Sequence, residues 1–68
     1  MDSYKQEVDQ VVKSIICNSE MLIKQAKMLE QACKSNDENY DELYSVMHSI
    51  MDYSNNIDTK IGEMSLIL

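Results

Sequence analysis

The sequence predicts an all-α protein, an antiparallel hairpin of two long helices with coiled-coil-like packing. Proline is absent and glycine occurs once in 68 residues, a composition that is typical of helical proteins. Apolar residues recur at alternating steps of three and four through most of the chain, and no stretch shows the alternation of a strand. One polar stretch, KSNDEN at 34–39, interrupts this pattern and favours a turn.

The first helix is predicted at about 4–34. Ser3 and Gln6 have the spacing of a capping box directly ahead of the periodic segment. Two adjacent rows of residues repeat every seven positions along this helix. The first row is Val8, Ile15, Leu22 and Leu29, and the second is Val12, Ser19, Ala26 and Cys33.

The turn is predicted at 35–37 and the second helix at about 38–67. Ser35 and Glu38 repeat the capping-box spacing at its start. Its first row is Leu43, Ile50, Ile57 and Met64, and its second is Tyr40, Met47, Ser54, Ile61 and Leu68. Because these rows continue through the terminal IGEMSLIL, we expect this segment to be helical, with Gly62 on the solvent-facing side.

The residue numbers of facing pairs add to a constant, as antiparallel packing requires. They add to 72 for first-row pairs such as Val8 with Met64, and to 73 for second-row pairs such as Ala26 with Met47. In the second rows, small residues tend to lie opposite large ones, as interdigitated packing requires. We therefore expect residues 1–68 to form a single helical-hairpin domain in which both pairs of rows face each other.

The net charge of −6 comes from the second half of the chain. Residues 36–68 hold seven acidic side chains against Lys60 alone, whereas the charges of residues 1–35 cancel. An acidic half repels phosphate groups, so we expect neither nucleic acid nor a membrane as a partner. The acidic run at 37–42 lies near Lys27 and Lys34 and complements the helix dipole, although an acidic docking site is the alternative interpretation.

No catalytic or cofactor-binding motif is present, and we expect neither enzyme activity, nor a cofactor, nor a small-molecule substrate. His48 and Asp52 are four residues apart, but two ligands are too few for a metal site. Cys17 and Cys33 lie about 24 Å apart along one helix and cannot form a disulfide with each other. Free thiols fit a reducing compartment, and no apolar signal or membrane segment is evident, so the expected location is the cytoplasm.

The first helix carries more apolar surface than one neighbouring helix covers. Its apolar arc is near 200°, whereas a single helix covers a stripe of about 100°. We therefore expect the hairpin to complete its core against another helical protein or a second copy of itself. The residues expected to contact this partner are Ile16, Met21, Ile23, Met28, Tyr44, Met51, Tyr53, Leu66 and Ile67.

In size, acidity, absence of proline and hairpin layout, the chain resembles the small co-chaperones that hold type III secretion needle subunits in the bacterial cytosol. The resemblance covers the whole chain and includes no shared motif. It implies binding to a helical-repeat partner chaperone and protection of the needle subunit. In the same features the chain is similar to small helical subunits of eukaryotic coiled-coil assemblies, such as kinetochore and vesicle-tethering complexes. The leading hypothesis is therefore a protein-protein interaction module.

The alternative is a self-sufficient homodimeric four-helix bundle with a structural or regulatory role. Its layout, and the stretch DELYS at 41–45, resemble the plasmid-encoded repressor-of-primer family of acidic RNA-binding proteins. RNA binding would need a cluster of basic residues across the dimer. The six lysines of this chain are scattered, which argues against RNA binding.

Overall fold

Two long helices form an antiparallel hairpin in the computed structural model, which describes residues 3–35 and 40–68. Helix α1 spans Ser3–Lys34 and helix α2 spans Tyr40–Ile67, and the two pack against each other. The Asn56 side chain of α2 donates a hydrogen bond to Asn18 Oδ1 of α1 over 3.2 Å, so these two residues lie at about the same level. The Cα positions extend over 57 × 14 × 11 Å. The predicted all-α hairpin is confirmed.

The helix bounds agree with the predicted ones where the structure describes them. Helix α1 begins one residue before the predicted start and ends at the predicted residue. The backbone N–H of Leu68 donates to the Met64 carbonyl over 2.9 Å, so helical hydrogen bonding continues through the terminal segment as predicted. Most of the predicted turn, the start of α2 at 38 and the partner residue of its capping box lie outside the described residues. The side chain of Ser3 also lies outside them.

The first rows face each other, as predicted. We assign heptad letters so that this row occupies position a in both helices. All eight of its residues are half-buried: Val8, Ile15, Leu22, Leu29, Leu43, Ile50, Ile57 and Met64. Among the described residues only Val11 and Val46 are buried, with 8% and 5% of their surface exposed, so the core of the hairpin is narrow.

The predicted second rows do not lie in the interface, and this prediction is wrong. Position d, on the other flank of position a, completes the interface instead. Its residues are buried or half-buried: Val11, Asn18, Gln25 and Ala32 in α1, and Val46, Tyr53, Lys60 and Ile67 in α2. The predicted rows occupy position e, where Val12 and Ser19 are half-buried and Ala26, Cys33 and all five residues of the α2 row are exposed.

The choice of flank has a physical reason. Each helix of a pair covers only one stripe of about 100° on the other, so positions d and e compete for the second place beside position a. Apolar area does not decide between them, because each row of α1 has a single valine, Val11 at position d and Val12 at position e. What distinguishes the d flank is the hydrogen bond from Asn56 to Asn18. Asn18 can be half-buried at position d without leaving its amide N–H groups unpaired, because its Nδ2 donates to the Ser14 carbonyl over 2.8 Å.

Gly62 lies in α2 on the exposed outer side, as predicted, and no described atom lies within 4 Å of a Cβ built there. Gly62→Ala is therefore expected to stabilise the hairpin by about 1 kcal/mol, because alanine loses less backbone entropy in a helix. Urea unfolding followed by circular dichroism measures this change. A decrease in stability would mean that a further surface contacts this position in the folded protein.

Candidate functional site

The hairpin has two broad sides, and the one on the flank of positions d and g is polar. The hydrogen bond between Asn18 and Asn56 lies here. Towards the end formed by the start of α1 and the end of α2, a shallow groove is lined by Glu7, Gln10, Val11, Lys60, Glu63 and Ile67. Lys60 Nζ lies 3.2 Å from Glu63 Oε2 within this groove. The charges of this groove are thus partly paired, and Val11 and Ile67 give it a small apolar part.

The opposite broad side, on the flank of positions e and b, is apolar. In an antiparallel pair the e positions of both helices border the same side, and the b positions lie next to them. Eight large apolar side chains on this side are exposed: Ile16, Ile23, Tyr40, Tyr44, Met47, Met51, Ile61 and Leu68. Their exposed fractions run from 46% for Met47 to 77% for Leu68.

These side chains follow the spacing of a helix-packing interface. Along each helix, positions e and b alternate in steps of four and three, as positions a and d do. We call this side the apolar face. It consists of Val12, Ile16, Ser19, Ile23, Ala26 and Cys33 in α1, and of Tyr40, Tyr44, Met47, Met51, Ser54, Ile61 and Leu68 in α2. Four exposed polar residues at position b interrupt it: Asp9, Glu30, Asp58 and Ser65.

The structure distributes the nine predicted partner-binding residues over several surfaces. Four of them lie exposed on the apolar face: Ile16, Ile23, Tyr44 and Met51. Met21 is half-buried and Met28 is 44% exposed, both on the polar side. Leu66 is exposed on the outer side of α2, and Tyr53 and Ile67 are half-buried in the d row between the helices. Contact of these residues with a partner stays a prediction.

Four of the eight large exposed side chains of the apolar face were not predicted to contact a partner, because the sequence pattern placed them in the interior of the hairpin. They are Tyr40, Met47, Ile61 and Leu68, all at position e and all exposed. The pattern that would have identified them is the alternation of positions e and b in steps of four and three residues, which joins Tyr40 to Tyr44 and Met47 to Met51. A helix with two such spacings side by side is built to contact two neighbours.

No protein-family model, curated protein or solved structure matches this chain. The case for a function therefore rests on the surfaces of the hairpin.

Within 3–35 and 40–68, no group of three or more His, Cys, Asp and Glu side chains is placed to hold a metal ion. Cys17 and Cys33 are free and exposed. Neither described helix is long and apolar enough to cross a membrane.

The total surface of the chain is large for its mass. It amounts to 5399 Å² for 7.9 kDa, whereas a compact monomer of that mass exposes roughly 4,400 Å². The excess is about 1,000 Å² by the same scaling. Together with the exposed side chains of the apolar face, this excess is typical of a protein that buries one side against another.

Proposed function

We propose that this protein is a non-enzymatic interaction module, a helical hairpin that packs its apolar face on other helices as an assembly subunit or a co-chaperone. The observation that carries the proposal is the concentration of eight exposed large apolar side chains on one side of the hairpin. Soluble monomers rarely expose a contiguous apolar patch of this kind, and such patches mark interaction sites.

Helices are the partner that the face fits best. Its side chains alternate in steps of four and three along both α1 and α2, which is the pattern that interdigitates with side chains of a neighbouring helix. The outer side of α2 carries Asp41 and Asp52, so a phosphate-rich partner would be repelled. Tyrosine and methionine dominate the α2 half of the face, and both residue types are enriched at protein interfaces.

A reducing compartment, with the cytoplasm as the proposed location, fits the two thiols. Cys17 and Cys33 are free and exposed, and exposed free thiols persist where glutathione keeps them reduced. Cys33 lies on the apolar face, so a partner would cover it. Cys17 lies on the outer side of α1.

The double substitution Ile16→Gln and Ile23→Gln tests the proposal. Both side chains are about half exposed in the hairpin, so a partner would bury the remaining half and gain roughly 1 kcal/mol for each. Glutamine buries less apolar surface than isoleucine, and it adds an amide that finds no hydrogen-bonding partner in an apolar interface. We expect assembly to weaken about 100-fold, from a total loss of about 2.7 kcal/mol. Sedimentation of the purified chain and gel filtration of extracts containing the tagged chain measure it.

The matched control is Glu20→Gln with Lys24→Gln. Glu20 lies between the two isoleucines and Lys24 follows the second on the same helix, both are exposed on its outer side, and the pair leaves the net charge unchanged. The control should assemble as the wild type does, with equal helicity. If the isoleucine variant also assembles as the wild type does, the apolar face is not the docking surface.

A further inference from the structure

We infer that the helices covering the apolar face belong to a second copy of this chain, with α1 of each hairpin lying along α2 of the other. This inference rests on the proposed function and names the occupant of the same face. Two hairpins stacked by their apolar faces form a four-helix bundle. A two-fold axis can run along the helices, which places α1 on α2 of the other copy, or across them, which places like helices on each other.

Side-chain size favours the axis along the helices. Near the middle of the face, Ala26 of α1 lies level with Met47 of α2, and Ser19 lies level with Ser54. The residue numbers of Ala26 and Met47 add to 73, and the axis along the helices preserves this level, so the methionine of one copy meets the alanine of the other. Small rows opposite large rows interdigitate. With like helices on each other and their ends flush, Ala26 would lie level with Val12, whereas Met47 would lie level with Ile61. The α1 side would then be left with voids and the α2 side would be crowded.

Charge favours the same arrangement. The described part of α2 holds five acidic side chains and one lysine, whereas that of α1 holds four acidic side chains and five lysines. Placing α2 on α2 would bring two strongly acidic helices together, at a cost in repulsion. In the proposed arrangement each acidic α2 lies on a nearly neutral α1.

The available area suffices for a stable dimer. The Cα extents of 57 and 14 Å give the face a footprint of roughly 800 Å², which matches the share of about 800 Å² that each partner buries in an interface of standard size. Burying such an area in each copy would also remove most of the surface excess of the isolated hairpin. A second copy therefore covers the face without any further component.

Cross-linking of single-cysteine chains tests the arrangement. In a C17S/C33S background, Ala26→Cys is placed in one chain and Met47→Cys in another, which carries a tag that changes its mass. The two chains are mixed, unfolded, refolded together and oxidised with copper phenanthroline. Because a disulfide needs Cα atoms within about 7 Å, the mixed disulfide should exceed each disulfide of like chains by about tenfold. Circular dichroism checks that both variants are as helical as the wild type.

Each other outcome overturns the inference. A dominant disulfide between two A26C chains would place α1 on α1, and a dimer that forms no mixed disulfide would have another geometry. A purified chain that is monomeric in sedimentation, yet part of a larger assembly in extracts, would assign the face to a different helical protein and leave the interaction-module proposal standing. A chain that is monomeric in sedimentation and also in extracts would contradict both the second-copy inference and the interaction-module proposal.

Discussion

Replacing Val46 with aspartate is expected to abolish most of the helical structure of the chain. Val46 is the most buried side chain of the described residues, with 5% of its surface exposed, and it lies at position d between the helices. A carboxylate there would lose its hydration without gaining a partner, at a cost of several kcal/mol. A single small core supplies about 3–5 kcal/mol of net stability, so one such substitution removes it. Circular dichroism at 222 nm measures the loss.

The matched control is Ser45→Asp. Ser45 is the preceding residue of the same helix and is exposed, so the same new charge remains in water there. This variant should keep the helicity of the wild type. If V46D stays as helical as S45D, the two helices are not held together along position d, and the observed packing of the hairpin is incorrect.

The melting temperature of the isolated chain is expected to rise with its concentration. If folding is coupled to dimer formation, each tenfold increase in concentration stabilises the dimer by about 1.4 kcal/mol. With the entropy of unfolding usual for two chains of this length, a hundredfold increase raises the melting temperature by about 10 °C. Thermal unfolding followed by circular dichroism in cells of different path length measures this shift.

The variant I16Q/I23Q provides the control, because it weakens the dimer and leaves the a and d rows intact. Its melting temperature should be lower than that of the wild type at every concentration, because a weaker dimer adds less to the stability of the folded chain. A wild-type melting temperature that does not depend on concentration would mean that the hairpin folds without a second copy. The second-copy inference would then fail, whatever partner the apolar face binds in the cell.

Much of the fold follows from the sequence, because helix formation and the a rows depend on local spacing. Proline is absent, and the alternation of three and four runs unbroken on both sides of the predicted turn. The sequence does not determine which row lies beside the a row in the interface. Positions d and e both flank the a row, and the e rows hold Met47 and Ile61, which are as apolar as the d residues Val46 and Ile67. Only the three-dimensional packing shows that position d is enclosed.

The candidate site could be predicted in part. Four of its residues are apolar but lie outside the a and e rows that were predicted to form the interior, so the sequence identifies them as surface residues able to contact a partner. They are Ile16, Ile23, Tyr44 and Met51. The e residues of α2 were missed because their small-to-large match with α1 is equally compatible with packing inside one hairpin and packing between two. A residue-number pattern cannot tell these apart, since both arrangements preserve the same level. The number of copies is a property of the assembly, and the sequence of one chain does not state it.

The narrow core has a consequence for how this protein can change over time. With only Val11 and Val46 buried among the described residues, almost every other substitution alters a surface as well as the packing of the hairpin. If folding is coupled to dimer formation, a single change on the apolar face alters both recognition and the stability of the folded chain. Such a chain has few neutral positions along that face, whereas its outer sides are free to diverge. Similarity to related chains would then persist as a spacing of apolar residues long after residue identity has been lost.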